Sequence, residues 1–170
     1  MKDYLVVDGY NIIYAWPEFK KLRGASLEYA RSRLVEILAN YAALTGCKVT
    51  VVFDAHQVKL PAVRVEMVDG VEVIYSQQGE TADALIERLA GDLSGRGTVY
   101  VATSDGAEQT IIFGRGAFRV TPGELKDQIG SARKAGEALF SQGALTDGYL
   151  ENRLLENVRV KLEKLRRGKG

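Results

Sequence analysis

The chain contains one cysteine, Cys47, and one histidine, His56, among its 170 residues. A lone cysteine excludes an intrachain disulfide and fits a reducing, cytoplasmic setting. The same scarcity excludes a Cys/His cluster of the kind that holds zinc. Long apolar runs are missing too. The first one, Leu5-Val6-Val7, stops at Asp8 and is far too short for a signal peptide or a membrane span. A soluble protein with no membrane contact is therefore expected, with a monomer favoured. Charge of one sign is also scarce, the formal net charge being +1. With 46% hydrophobic and 26% charged residues, the composition is that of a packed globular chain and not a disordered one. Its length suits one domain with a full core. There is no internal repeat and no low-complexity segment.

The small net charge conceals an asymmetry. Residues 159–170 hold six basic side chains (Arg159, Lys161, Lys164, Arg166, Arg167, Lys169) and one acid, Glu163, for +5. Since the whole chain is +1, residues 1–158 carry −4. A basic tail on a mildly acidic body suits contact with a polyanion. It equally suits a solvated helix end, where cations favour the dipole.

Apolar patterning organises the rest. Tyr4–Val7, Lys48–Phe53 and Thr98–Ala102 are short continuous apolar or β-branched runs, each bounded by polar residues, and predict buried strands. Val63, Val65 and Met67 alternate with polar residues, as do Val71, Val73 and Tyr75, around Asp69-Gly70; this is a hairpin signal, with 71–75 the core strand. A further short strand is expected around 117–120. Helical spacing runs from Ser26, a candidate N-cap, to Gly46, and from Thr81 to about Leu93. A short helix is expected from Asp105 to about Phe113. From Pro122 the chain reads as helical, broken near Gly143–Gly148, with a last apolar stripe of Leu150, Leu154, Val158, Leu162 and Leu165. We divide it into a core domain over 1–145 and a basic C-terminal helix and tail over 146–170. Strands separated by helices imply a mostly parallel sheet covered on both faces. Ligands of such sheets bind beyond the carboxyl ends of the strands, where the strand order reverses.

Acids recur at that edge. Strands end as LVVD8, VVFD54 and VATSD105, and VEVIYS leads through Gln77-Gln78-Gly79 to Glu80 and Asp83 at a helix start. Five converging carboxylates repel one another unless a cation neutralises them. With no Cys or His cluster beside them, an all-oxygen set selects a hard ion such as Mg²⁺ or Mn²⁺, which suits phosphodiester hydrolysis. Each acid also has an ordinary structural reading. Asp105 with Glu108 can cap a helix, Asp83 can face a helix dipole, Glu80 can be a loop acid, and Asp8 and Asp54 can be turn residues. What favours a site is the recurrence of the same sheet edge.

Neighbouring residues bear on the reading. Asn11 is placed to orient an acid, a water or a phosphate, or simply to serve as a loop residue. His56 reads better as a surface or packing residue than as a general base, and Cys47 as a small core residue. Tyr14, Trp16 and Phe19 lie in the expected loop after the first strand, beside Lys20, Lys21 and Arg23. Such a group can stack and clamp single-stranded RNA, although burial of the aromatics fits equally well.

LVVDGYNIIYAW at 5–16, VVFDAH at 51–56, VEVIYSQQGETADALIERL at 71–89 and VATSDGAEQTIIFGRGAFRV at 101–120 together resemble the YacP-like branch of the NYN domain family, within the PIN-like nuclease superfamily. The resemblance spans nearly the whole chain and keeps the order of the pieces. It implies a PIN-like three-layer α/β/α sandwich with a C-terminal helical extension. It also implies a metal-dependent nuclease site, with Asp8, Asp54, Glu80, Asp83 and Asp105 as the acidic positions and Asn11 as their polar companion. Catalysis would then rest on Asp8, Asn11, Asp83 and Asp105, with Asp54 and Glu80 close to the ion or one step removed. Relatives of this kind look like ribosome-associated endoribonucleases that cut mRNA in the ribosomal A site. If so, Arg115, Arg119 and the basic residues Lys164, Arg166 and Arg167 are candidates for RNA contact. Residues 57–70 have no assignable role.

The expected function is thus a metal-dependent endoribonuclease acting on single-stranded RNA, with mRNA on the translating ribosome as substrate. The alternative is a non-catalytic RNA- or ribosome-binding module of the same fold, against which the intact acids argue. An Asp8-nucleophile phosphatase is a third class, but Asp8-Gly9-Tyr10 lacks the second acid two residues on.

Overall fold

A computed structural model of the chain describes residues 2–54, 64–77, 79–104 and 116–141. Six strands, β1 (Lys2–Asp8), β2 (Lys48–Phe53), β3 (Arg64–Val68), β4 (Val71–Tyr75), β5 (Gly97–Ala102) and β6 (Phe118–Val120), form one sheet in the order β3-β4-β2-β1-β5-β6. All pairings are parallel except β3–β4. That pair closes through Asp69 and Gly70, which have φ of 48° and 86°. Positive φ at both central residues is what a two-residue hairpin turn matched to the strand twist requires.

The central strands are apolar on both sides because both sides are covered. Alternate residues of β1 illustrate this: Val7 belongs to one core cluster and Val6 to the other. On the first face lie α1 (Gly9–Ala15), α2 (Lys20–Ala25), α3 (Leu27–Thr45) and α5 (Pro122–Ser141), whose Ile12, Leu34, Leu38 and Leu125 are fully buried. On the second face α4 (Ala82–Ser94) packs Leu85, Ile86 and Ala90 against Val6, Val52 and Val101. The result is the three-layer α/β/α arrangement expected from the sequence. Ser26 caps α3 by accepting from Tyr29 N at 3.4 Å, Gly46 ends it with φ of 72°, and Thr81 caps α4 by accepting from Ala84 N at 3.1 Å.

The segment after β1 departs from the sequence reading. What was expected to be a loop is α1, a 3₁₀ turn at Pro17–Phe19 and α2. Helices of seven and six residues are too short to show a 3.6-residue period, and Pro17 separates them. Trp16 and Phe19, offered as possible RNA-stacking residues, are core: they are 4% and 0% exposed, stack on each other, and Trp16 Nε1 donates to Pro122 O at 2.8 Å. Only Tyr14 of the three is exposed.

Cys47 is buried, as expected, with Sγ donating to Asp3 O. Among the described residues no helix is long and apolar enough to cross a membrane. The short helix expected after Asp105, the break near 143–148 and the 146–170 extension lie outside the described residues.

Candidate active site

The sheet order reverses between β1 and β5. From β1 the chain proceeds to β2 and β4 on one side; it then returns over α4 to β5 and β6 on the other. In open α/β sheets ligands bind beyond the carboxyl ends of the strands that flank such a reversal, here β1 and β5. Asp8 ends β1 at this point.

Gly9 opens α1 with no intervening loop. A Cβ at Gly9 would collide with the Phe53 ring at the end of neighbouring β2, so only glycine lets the chain turn so close to the sheet. Asp8 occupies the N-cap position of α1 but its side chain makes no capping hydrogen bond. It is 8% exposed, and Thr103 Oγ1 donates to its Oδ2 at 3.5 Å. The Asp8 side chain therefore does not cap α1.

Strand alternation fixes the face. Val6 packs on α4 and Val7 on the opposite layer, so Asp8 returns to the α4 face. Val52 and Phe53 make the same alternation, which brings Asp54 to the α4 face as well. There Asp54 Oδ2 accepts from Ala82 N, in the first turn of α4, at 3.4 Å. Asp83 sits in that first turn. Glu80, just before it, has an almost wholly buried side chain, with Oε1 2.9 Å from Arg88 Nη1 and both carboxylate oxygens sealed from solvent. Asp8 and Asp54 thus share the α4 face of the sheet at its carboxyl edge, with Glu80 just before α4 and Asp83 in its first turn. Asp105, the fifth acid, lies outside the described residues. Among the described residues no three His, Cys, Asp or Glu side chains lie close enough together to hold an ion.

Asn11 is held firmly. Its Oδ1 accepts from both N and Oγ of Ser104, each at 2.7 Å, tying the first turn of α1 to the chain leaving β5. Thr103, Ser104 and Arg88 were not singled out from the sequence. Thr103 and Ser104 precede Asp105 directly, which was a usable signal. Arg88 lies eight residues from Glu80 and gave none.

The basic candidates separate clearly. Lys20 and Lys21 are exposed on α2. Arg23 is committed to the end of α1, donating to Ile13 O and Tyr14 O at 3.2 Å each and lying 5.2 Å from the centroid of the Tyr14 ring. Arg119, on β6, donates from Nε to Thr103 O at 3.2 Å, just past the end of β5. Arg115, Lys164, Arg166, Arg167 and His56 lie outside the described residues.

Known proteins share both this sequence pattern and this shape. The profile of the YacP-like NYN domain matches residues 5–167. The uncharacterized protein YacP of Bacillus subtilis (strain 168) is 41% identical over 167 residues, covering 98% of each chain. The crystal structure of Rae1 (YacP) from Bacillus subtilis matches with a TM-score of 0.71 at 40% identity, over 98% of this chain and 96% of that one. A second crystal structure, of a tryptophan-to-leucine point mutant of that protein, gives a TM-score of 0.70 at 35% identity, over 94% of this chain and 99% of that one. With the profile and the relatives agreeing over nearly the full length, this chain belongs to the YacP-like NYN domain family, a family of nuclease type.

Proposed function

We propose that this chain is a metal-dependent endoribonuclease that hydrolyses single-stranded RNA, with mRNA on the translating ribosome as its substrate. The observation that carries the proposal is Asp8: a carboxylate 8% exposed at the reversal of the sheet order, unused as a helix cap, with Asp54 on the same face and Glu80 and Asp83 at the start of α4. Neighbouring carboxylates repel one another, and a cation between them offsets that repulsion. All-oxygen chemistry fits Mg²⁺ or Mn²⁺; Asp8, Asp83 and Asp105 are the residues that would hold it, with Asp54, which accepts from the start of α4, and Glu80, paired with Arg88, close to the ion or one step removed. A bound ion of this type polarises a phosphoryl oxygen and lowers the pKa of a bound water.

The chain's own residues define the rest. Thr103 fixes the direction of the Asp8 carboxylate. Ser104 engages Asn11 Oδ1, which leaves the Asn11 amide Nδ2 as a donor for water or a phosphate oxygen. The N-terminus of α4 supplies partial positive charge beside Asp54 and Asp83. The ribosomal setting rests on the family resemblance and on the basic stretch at 159–170.

The test is mapping of RNA 5′ ends in translating extracts with wild-type protein and Asp8→Asn, alongside purified RNA with and without Mg²⁺ or Mn²⁺. New ends that depend on Asp8 support the reading. Cleavage that survives in both Asp8→Asn and Asp83→Asn sinks it. The alternative is a non-catalytic RNA- or ribosome-binding module of the same fold. RNA binding without new ends under any metal would establish that alternative.

A further inference from the structure

We infer that Arg119 binds the phosphate undergoing cleavage and positions it at Asp8, an assignment that rests on the nuclease reading above. β6 is an edge strand, and its register pairs Arg119 with Val101. Val101 packs on the α4 face, so Arg119 stands on the same face as Asp8. Its half-buried side chain reaches the carboxyl edge, where Nε donates to Thr103 O at 3.2 Å. Thr103 Oγ1 in turn donates to Asp8 Oδ2. One residue therefore links Arg119 to the buried acid.

Anchoring through Nε uses one of five guanidinium donors and fixes the plane of the fork. The two terminal nitrogens remain, and among the described residues they meet no carboxylate. Other arginines are spent elsewhere: Arg23 on the end of α1, Arg31 on Tyr10 Oη at 3.0 Å, and Arg88 on Glu80. Lys20 and Lys21 belong to the opposite layer. A fixed side-chain cation beside the carboxylates adds attraction for the non-bridging oxygens of a phosphodiester. A planar, pre-oriented guanidinium does this bidentately, whereas an ammonium acts as a point charge.

The experiment compares wild type, Arg119→Ala, Arg119→Lys and Asp8→Asn in the full chain. It measures cleavage, melting temperature, and the affinity and salt dependence of binding to a single-stranded RNA oligonucleotide. The binding of Arg119→Ala is measured in the Asp8→Asn background to prevent turnover. Arg119→Ala should lower kcat about a hundredfold, as loss of one preorganised charge-stabilising donor does. The melting temperature should fall by no more than about 2–4 °C, the effect of one lost hydrogen bond, and the salt slope of binding should shrink by about 0.7, one phosphate contact on a single strand. Arg119→Lys should restore the salt slope but less than a tenth of the lost rate. Wild-type cleavage by Arg119→Ala while Asp8→Asn is inactive overturns the inference and leaves the nuclease reading intact. If Asp8→Asn still cleaves, the nuclease reading fails. In that case an unchanged oligonucleotide affinity and salt slope in Arg119→Ala removes the phosphate contact as well.

Discussion

Asn11 Oδ1 accepts two hydrogen bonds from Ser104, from the backbone N and from Oγ, each at 2.7 Å, across 93 residues of sequence. This latch holds the start of α1, which follows Asp8, against the exit of β5. Asn11→Ala leaves the Ser104 N–H without its acceptor at a partly solvated rim. The expected stability loss is about 1 kcal/mol, near that of a single net hydrogen bond. Catalysis should fall further, by at least about tenfold, because small displacements of positioned groups are amplified in rate. Chemical denaturation and cleavage rates on the same preparation check this. A rate loss no larger than the stability loss would make the latch purely structural.

Gly9 and Phe53 make a second test, one of packing. A methyl group at Gly9 runs into the Phe53 ring, which also packs on Tyr10 and Tyr75 with centroids 5.1 and 5.7 Å away. Gly9→Ala should therefore cost about 1–3 kcal/mol, the usual range for overpacking a core. For a chain of this size that lowers the melting temperature by roughly 2–4 °C per kcal/mol. Phe53→Leu removes the ring edge that meets the methyl. The double variant should lose less stability than the sum of the singles, a positive coupling measurable by a thermal double-mutant cycle. Strict additivity would show that the backbone, not Phe53, excludes the side chain.

Tyrosine burial predicts how stability responds to alkali. Burial raises the Tyr41 phenol far above its ordinary range, and burial also raises Tyr10, opposed there by the Arg31 hydrogen bond. The folded state therefore keeps protons that the unfolded chain releases from about pH 10. Below pH 10 both states are protonated and these groups contribute no slope. Above it the unfolded state binds fewer protons, so stability falls as pH rises. Tyr41 alone should contribute a slope approaching about 1.4 kcal/mol per pH unit above pH 10. Urea unfolding between pH 9 and 11 should show a shallower decline for Tyr41→Phe. Equal slopes for the two proteins would contradict the assignment.

Much of this fold is legible in sequence because its local signals agree. The runs at Lys48–Phe53 and Val71–Tyr75 are strands to the residue, and the Asp69-Gly70 turn, the Ser26 and Thr81 caps and the Gly46 stop all stand where expected. What stays hidden has a common cause. Strands buried on both faces show no alternation, so LVVD and VVFD do not reveal that Asp8 and Asp54 share the α4 face. Helices of six or seven residues carry too little period to read, and this concealed α1 and α2, while burial of Trp16 and Phe19 was one of the two readings open to the sequence. Contacts such as Arg88 with Glu80 depend on how a loop is folded back on its helix, which spacing does not encode.

Asp54 shows how the structural and ion-binding roles of one carboxylate can be separated. Its Oδ2 accepts from Ala82 N at the start of α4, so some of its value is that of an anion at a helix N-terminus. Asp54→Ala removes the acceptor and should cost about 1 kcal/mol, in the range of a lost N-cap. Asp54→Asn keeps a side-chain oxygen for Ala82 N and should stay within about 0.5 kcal/mol of wild type, as a surface-like substitution does. If Asp54 also holds a cation, the two variants should behave alike in a second measurement: each should lose most of the stabilisation that added Mn²⁺ confers on the wild type. That stabilisation follows the logarithm of free ion over its dissociation constant, so a weakened site shifts the whole titration to higher concentration. An Asn variant with the wild-type Mn²⁺ response would confine Asp54 to the helix end and leave ion binding to Asp8, Glu80, Asp83 and Asp105.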